Sequence, residues 1–245
     1  AQLLGWLRFD GGQHGAAQRY LLLSIRIARG AADDGRAANS IGMLSYVTAF
    51  AGHGHDAVAI AEAAMKHTRG QPALQARIAG RLATAQAAAG NLIGFRQASE
   101  SAHEHLSVRY SGDAPPYLYY LEAEQLNAEA GQALVTLSRH TPAYGKRLLN
   151  DAIELLAPIS SPDARPDYPR AVLLHSCYLI DAHIQRGDLD GAVTAARQAL
   201  PRLSQVQSAR CLDHLRAIEK SLARRSRARV VADFLPELRE ALHVT

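Results

Sequence analysis

After Gly187 the small residues Ala192, Ala196 and Ala199 fall on one face of a helix, and near the chain's end Val231, Phe234, Leu235, Leu238 and Leu242 form a single apolar stripe. Glu237, Arg239 and Glu240 lie off that stripe. The pattern predicts helices paired as 1–10 with 15–29, 34–51 with 54–68, and 72–89 with 94–109. It continues as 116–138 with 143–156, 167–186 with 189–203, and a final pair over 204–224 and 227–243. Breaks are expected at the turn clusters Gly30 to Gly35 and Gly70 to Pro72, and at two loops, Ser111 to Pro116 and Ser160 to Pro169. Prolines at 162, 166 and 169 punctuate the second loop.

These pairs repeat. The turn glycines Gly12, Gly52, Gly90 and Gly187 are separated by 40, 38 and 97 residues, and a divergent copy from Tyr117 to Leu156 fills the widest interval. A glycine there can stop a helix with positive φ. Five residues after each glycine stand Ala17, Ala57, Phe95 and Ala192; twelve after it come Ser24, Ala64, Ala102 and Ala199. Seven before it come Gly5, Ser45, Ala83 and Ile180, each preceded by a leucine, Leu4, Leu44, Leu82 or Leu179, that can fill the space between successive hairpins.

This order resembles the tetratricopeptide repeat. The resemblance implies an all-α, right-handed solenoid of about six antiparallel helix pairs over 1–245, five hairpins through residue 203 and a capping pair over 204–245. Phe95 and Ile180 are large for their crossings and units of about 40 exceed the usual 34, so an irregular superhelix is expected.

Composition agrees with helices. Hydrophobic residues make up 48% of the chain with only 6% aromatic, so Ala and Leu carry the apolar content. The formal charge of +4 is mild, and much of the arginine excess lies between Arg202 and Arg229. Arg210, Arg216, Lys220, Arg224, Arg225, Arg227 and Arg229 could contact phosphates, but no aromatic residues interleave with them and a solvated face is the stronger reading. Cys177 and Cys211 lack metal-ligand spacing and read as thiols of a reducing, cytoplasmic compartment. No apolar run is long enough for a membrane span. Residues 1–7 enter an apolar helix with no capping residue, from which a preceding segment is expected.

Candidate chemistry is sparse. His53-Gly54-His55 and His103-Glu104-His105 raise metal binding, yet residues two apart on a helix face different directions, and solvated histidines near helix ends are favoured. No phosphate loop, nucleophile elbow or Cys–His pair is present, and the paired carboxylates Glu122 with Glu124 and Asp188 with Asp190 sit on polar faces or turns. The expectation is a non-enzyme with no cofactor.

The repeat resemblance implies ligand-facing positions on the first helix of each pair: Trp6, Asp10, Asn39, Tyr46, Arg77, Arg81, Glu129, Tyr178 and Asp181. Trp6 and Tyr46 could anchor a peptide, small effector or protein, or could pack between units. Arg77 and Arg81, four apart, share a helix face. They match the basic positions of tetratricopeptide carboxylate clamps, although Met43 stands where the clamp has asparagine; the alternative is a solvated basic face.

Further runs carry a narrower resemblance: Leu4-Gly5-Trp6, Gly12 to Tyr20, Glu122-Ala123-Glu124, Glu129-Ala130-Gly131, Gly187 to Asp190 and Ser208-Ala209-Arg210. In these the chain is similar to the C-terminal region of actinobacterial transcription regulators whose N-terminal domain is a lambda-repressor-type helix-turn-helix. That similarity implies a regulatory module, DNA contact only through a separate upstream domain, and a homodimer through the C-terminal helices, with the Phe234 stripe either at the dimer contact or used within the cap. A constitutive protein scaffold is the alternative function.

Overall fold

The computed structural model describes residues 1–108, 114–161, 163–164 and 167–243. Twelve α-helices, linked by turns and short 3₁₀ segments and packed on their chain neighbours, account for most of the described residues, and no strand occurs among them. Contacts cluster into two compact units, Ala1–Thr141 and Pro142–Thr245. The repeat pattern predicted no interior boundary; this one falls inside the predicted fourth pair.

The first unit contains α1 (Gln2–Asp10) with α2 (His14–Gly30), α3 (Asp34–Phe50) with α4 (Gly54–Met65), α5 (Pro72–Ala88) with α6 (Leu92–Ser107), and α7 (Ala123–His140), which packs on α5 and α6. Each of the first three pairs turns at a glycine with φ of 74°, 87° or 76°, as the alignment of Gly12, Gly52 and Gly90 anticipated. Local caps fix several helix starts: the Asp33 side chain accepts from the Arg36 amide at 2.9 Å, and Asn91 from Gly94 at 3.0 Å.

The small positions meet where the repeat places them. Ser45 Oγ of α3 donates to the Ala57 carbonyl of α4 at 2.7 Å, and both residues are fully buried. These stand seven before and five after the same glycine, so the spacing marks the crossing point. Phe95 and Ile180, expected to be too large, are nevertheless buried. Between pairs, Leu44 packs into two of the unit's apolar clusters, one holding Phe9, Ala17, Leu21 and Val47, the other Ile41, Leu74, Ile78 and Leu126.

Three expected helices start or stop four or more residues elsewhere; the one expected from residue 204 begins at Ala209. The helix expected from residue 116 begins at Ala123, because Pro115 and Pro116 lead into a 3₁₀ turn over Pro116–Leu118. The helix expected to reach 203 ends at Ala199, where Pro201 enters a 3₁₀ segment, Leu200–Gln205. Residues 111–113, Pro162 and Pro166 of the expected loops lie outside the described residues.

In the second unit α8 (Gly145–Leu156) packs on α9 (Pro169–Arg186), which pairs with α10 (Leu189–Ala199) and meets α11 (Ala209–Ala223). Gly187, with φ of 87°, ends α9, and Asp188 then caps α10 by accepting from the Gly191 amide at 2.9 Å. His183 Nδ1 lies 2.8 Å from the other oxygen of Asp188; the Gly191 amide, followed by His183, draws that carboxyl below its ordinary pKa. α12 (Arg229–His243) packs on α10 and α11 and buries Val231, Phe234, Leu235 and Leu238. The Phe234 stripe is therefore occupied within the unit. Arg197 of α10 lies over the Phe234 ring at 5.4 Å and pairs with Glu237 at 3.1 Å. No helix among the described residues is long and apolar enough to cross a membrane.

Candidate binding surface

Arg77 and Arg81 do share one face of α5, but that face is turned inward. They are 1% and 5% exposed, so the solvated basic face weighed for them is not what forms. The carboxylate they hold belongs to the chain itself: Arg77 Nη2 pairs with Glu129 Oε2 of α7, and Arg81 Nη1 reaches Oε1 at 3.5 Å. Gln125, one turn before Glu129 on α7, donates to Oε1 at 2.8 Å. On its other side the Arg81 guanidinium lies over the Tyr46 ring of α3, 4.1 Å from the centroid.

The electrostatics follow from burial and pairing. Burial alone would raise the Glu129 carboxyl, yet Arg77, Arg81 and the hydrogen bonds from Arg77 and Gln125 outweigh it and hold the group at about 2. Burial likewise works against the Arg77 charge, and Glu129 more than restores it, leaving its pKa raised. Among the described residues Arg77 Nε and Nη1 have no hydrogen-bond partner. Two guanidiniums face one carboxylate in this interior.

Tyr46 connects the charged cluster to an aromatic one. Its ring packs on Phe50 at 4.6 Å, Phe9 at 5.7 Å and Trp6 at 6.4 Å, so Trp6 and Tyr46 pack between the first helices of the first two pairs. Trp6 is half-buried at the edge of this cluster and Asp10 half-buried at the end of α1, while Asn39 is buried on α3. Of the nine candidate positions, Trp6, Tyr46, Arg77, Arg81 and Glu129 form one chain of contacts.

Tyr178 and Asp181 belong to the second unit. Tyr178 meets the His214 ring edge-on at 4.6 Å, and Asp181 accepts from Gln185 at 3.1 Å with His214 Nε2 3.7 Å away. His214 and Gln125 were not anticipated. Gln125 could have been found from its four-residue spacing to Glu129; His214 lies in a stretch read only as a cap.

The other candidate groups are dispersed. Among the described residues no cluster of His, Cys, Asp or Glu could hold a metal ion. Arg216, Lys220, Arg224, Arg227 and Arg229 are exposed, with Arg216 paired to Asp213 at 3.2 Å. Cys177 and Cys211 are buried free thiols, and burial, with Cys211 nearby, pushes the Cys177 thiol well above its usual range.

Fold and cluster together define an all-helical protein of packed helix pairs whose first-helix polar residues are joined across α3, α5 and α7. No protein-family model and no curated protein matches the chain. Among solved structures, the crystal structure of BtubC (BKLC) from P. vanneervenii is similar over 96% of this chain and 92% of that one, with a TM-score of 0.49 and 15% identity. A likeness at that level assigns neither family nor function.

Proposed function

We propose that the chain is a non-catalytic, cytoplasmic binding module of a regulatory protein, a right-handed solenoid that takes a peptide, small effector or partner protein along the first helices of its pairs. The observation that carries this reading is Arg81, which stacks on Tyr46 of α3 and reaches Glu129 of α7. Three successive first helices thereby share one network. A ligand that prefers one spacing of α3, α5 and α7 shifts the population toward it, and the shift reaches whatever is attached to the array. The similarity to helix-turn-helix regulators supports a DNA-binding domain as the attached part.

The burial of this network favours a second reading, a constitutive scaffold whose first helices are locked by Glu129 and respond to no effector. Thermal unfolding and small-angle scattering with pools of short peptides, carrying free C-terminal carboxylates or amides, separate the two. The regulatory reading expects at least one pool to raise the melting temperature by about 2–4 °C and also to change the scattering radius. Stabilisation with an unchanged radius, or no shift with any pool, contradicts the regulatory reading and leaves the scaffold.

A further inference from the structure

The outer side of α1 and α2 concentrates exposed apolar side chains. Leu3, Leu4 and Leu7 on α1 and Leu22, Leu23 and Ile27 on α2 are 46–69% exposed, and they make up six of the eleven exposed large apolar side chains among the described residues. With Gly12 aligned on Gly52, the α1 leucines correspond to Met43, Leu44 and Val47 of α3. All three of those pack into the cluster that contains Phe9, Ala17 and Leu21 of the pair before them. Leu3, Leu4 and Leu7 therefore occupy positions that, one unit later, receive helices.

The α2 residues add something the repeat does not require. Leu22, Leu23 and Ile27 align with Glu62 and Ala63 of α4 and His67 just beyond its end, and with Glu100, Ser101 and His105 of α6, positions that are mostly polar. Between α1 and α2 runs a groove of about 430 Å³ lined by Arg8, Gln13, Ala16, Arg19, Tyr20 and Leu23. Ala16, Tyr20, Leu23 and Ile27 follow one another at four- and three-residue spacing, the stripe that accepts a second helix. Residues 1–30 carry four arginines, Arg8, Arg19, Arg26 and Arg29, against the one carboxylate Asp10.

We propose that this face docks an amphipathic α-helix of a partner protein, with its apolar stripe along Tyr20, Leu23 and Ile27 and an acidic flank against Arg8, Arg19 and Arg26. Shape calls for a helix, because Ala16, Tyr20, Leu23 and Ile27 form a stripe at the four- and three-residue spacing that a second helix matches. Charge selects the flank: an acidic rim is attracted and a basic one repelled. A second copy docking by the same face would set arginines against arginines, so it is the disfavoured occupant. This surface is distinct from the Arg81 network and does not rest on it.

The test uses a synthetic amphipathic peptide of about five helical turns, leucine along one face and flanked by glutamate, beside a twin with lysine for glutamate. Fluorescence anisotropy against the full chain is expected to show the glutamate peptide binding at least about tenfold more tightly than the lysine twin, and weakening as salt rises. Leu23→Asp is expected to weaken it by at least about tenfold while leaving the melting temperature unchanged, since Leu23 is already exposed. The pair Arg8→Glu with Arg19→Glu is expected to reverse the preference between peptides, a readout that holds even if Leu23→Asp disturbs the helix. Equal binding of both peptides, no binding, or no reversal overturns the proposal. So does a concentration-dependent dimer in sedimentation that Leu23→Asp abolishes, which would give the face to a second copy.

Discussion

Glu129→Ala is expected to destabilise the first unit by about 3–5 kcal/mol, the cost of leaving a buried charge without its partner. For a unit of this size that lowers the melting temperature by roughly 10 °C. The effect is large because Arg77 is 1% exposed and Glu129 is its only acidic partner among the described residues, and because Arg81, stacked on the Tyr46 ring, would lose the same carboxylate. Glu129→Gln keeps the shape and can still meet Gln125, so it should cost less at neutral pH.

The same residue gives the protein an acid dependence with a defined window. Folding lowers the Glu129 carboxyl from 4.5 to about 2, so its stabilisation is fully present above pH 4.5 and is lost as the pH falls through the folded value. That drop amounts to about 3 kcal/mol. Denaturant titrations of the wild type should therefore lose stability between pH 4.5 and 2, and those of Glu129→Gln should lose less. The two proteins converge at the acid end. Parallel curves across the window would mean that Glu129 does not titrate with folding.

Gly54→Ala is the second large effect expected. Gly54 starts α4, and a Cβ there would stand 2.5 Å from both the Ala88 carbonyl carbon and the Ala89 nitrogen at the end of α5. Both atoms are backbone, so no side chain can swing aside; α4 must move away from α5, at about 2–4 kcal/mol. Two residues earlier, Gly52 has φ of 87° and open space around the position of a Cβ. Gly52→Ala should cost only the backbone strain, about 1–2 kcal/mol. Urea denaturation of the two variants therefore separates close approach from conformation; a Gly54 variant as stable as the Gly52 variant would remove the packing role.

Much of the fold was legible because turn glycines and small crossing residues are local signals. Gly12, Gly52, Gly90 and Gly187 all take positive φ, and Ser45 meets Ala57 across one hairpin. The start of α7 was harder, since an apolar pattern runs on through residues that Pro115 and Pro116 turn into a 3₁₀ segment. At the candidate surface the sequence showed that Arg77 and Arg81 share a face, but not what the face meets. Their partner Glu129 lies 52 residues from Arg77, and its approach depends on how α7 lies against α5. A clamp for an outside carboxylate and a solvated face were the two readings weighed; the chain instead supplies its own carboxylate. His53-Gly54-His55 carried a similar lesson, since its packing residue is the glycine between the histidines.

The most direct measurement is a double-mutant cycle on Tyr46→Leu and Glu129→Gln. These side chains come from α3 and α7 and are joined through Arg81 of α5. If the three first helices act as one network, unfolding free energies should depart from additivity by about 1 kcal/mol or more. Additivity within about 0.5 kcal/mol would contradict the network, and with it the route by which binding at one pair reaches the others.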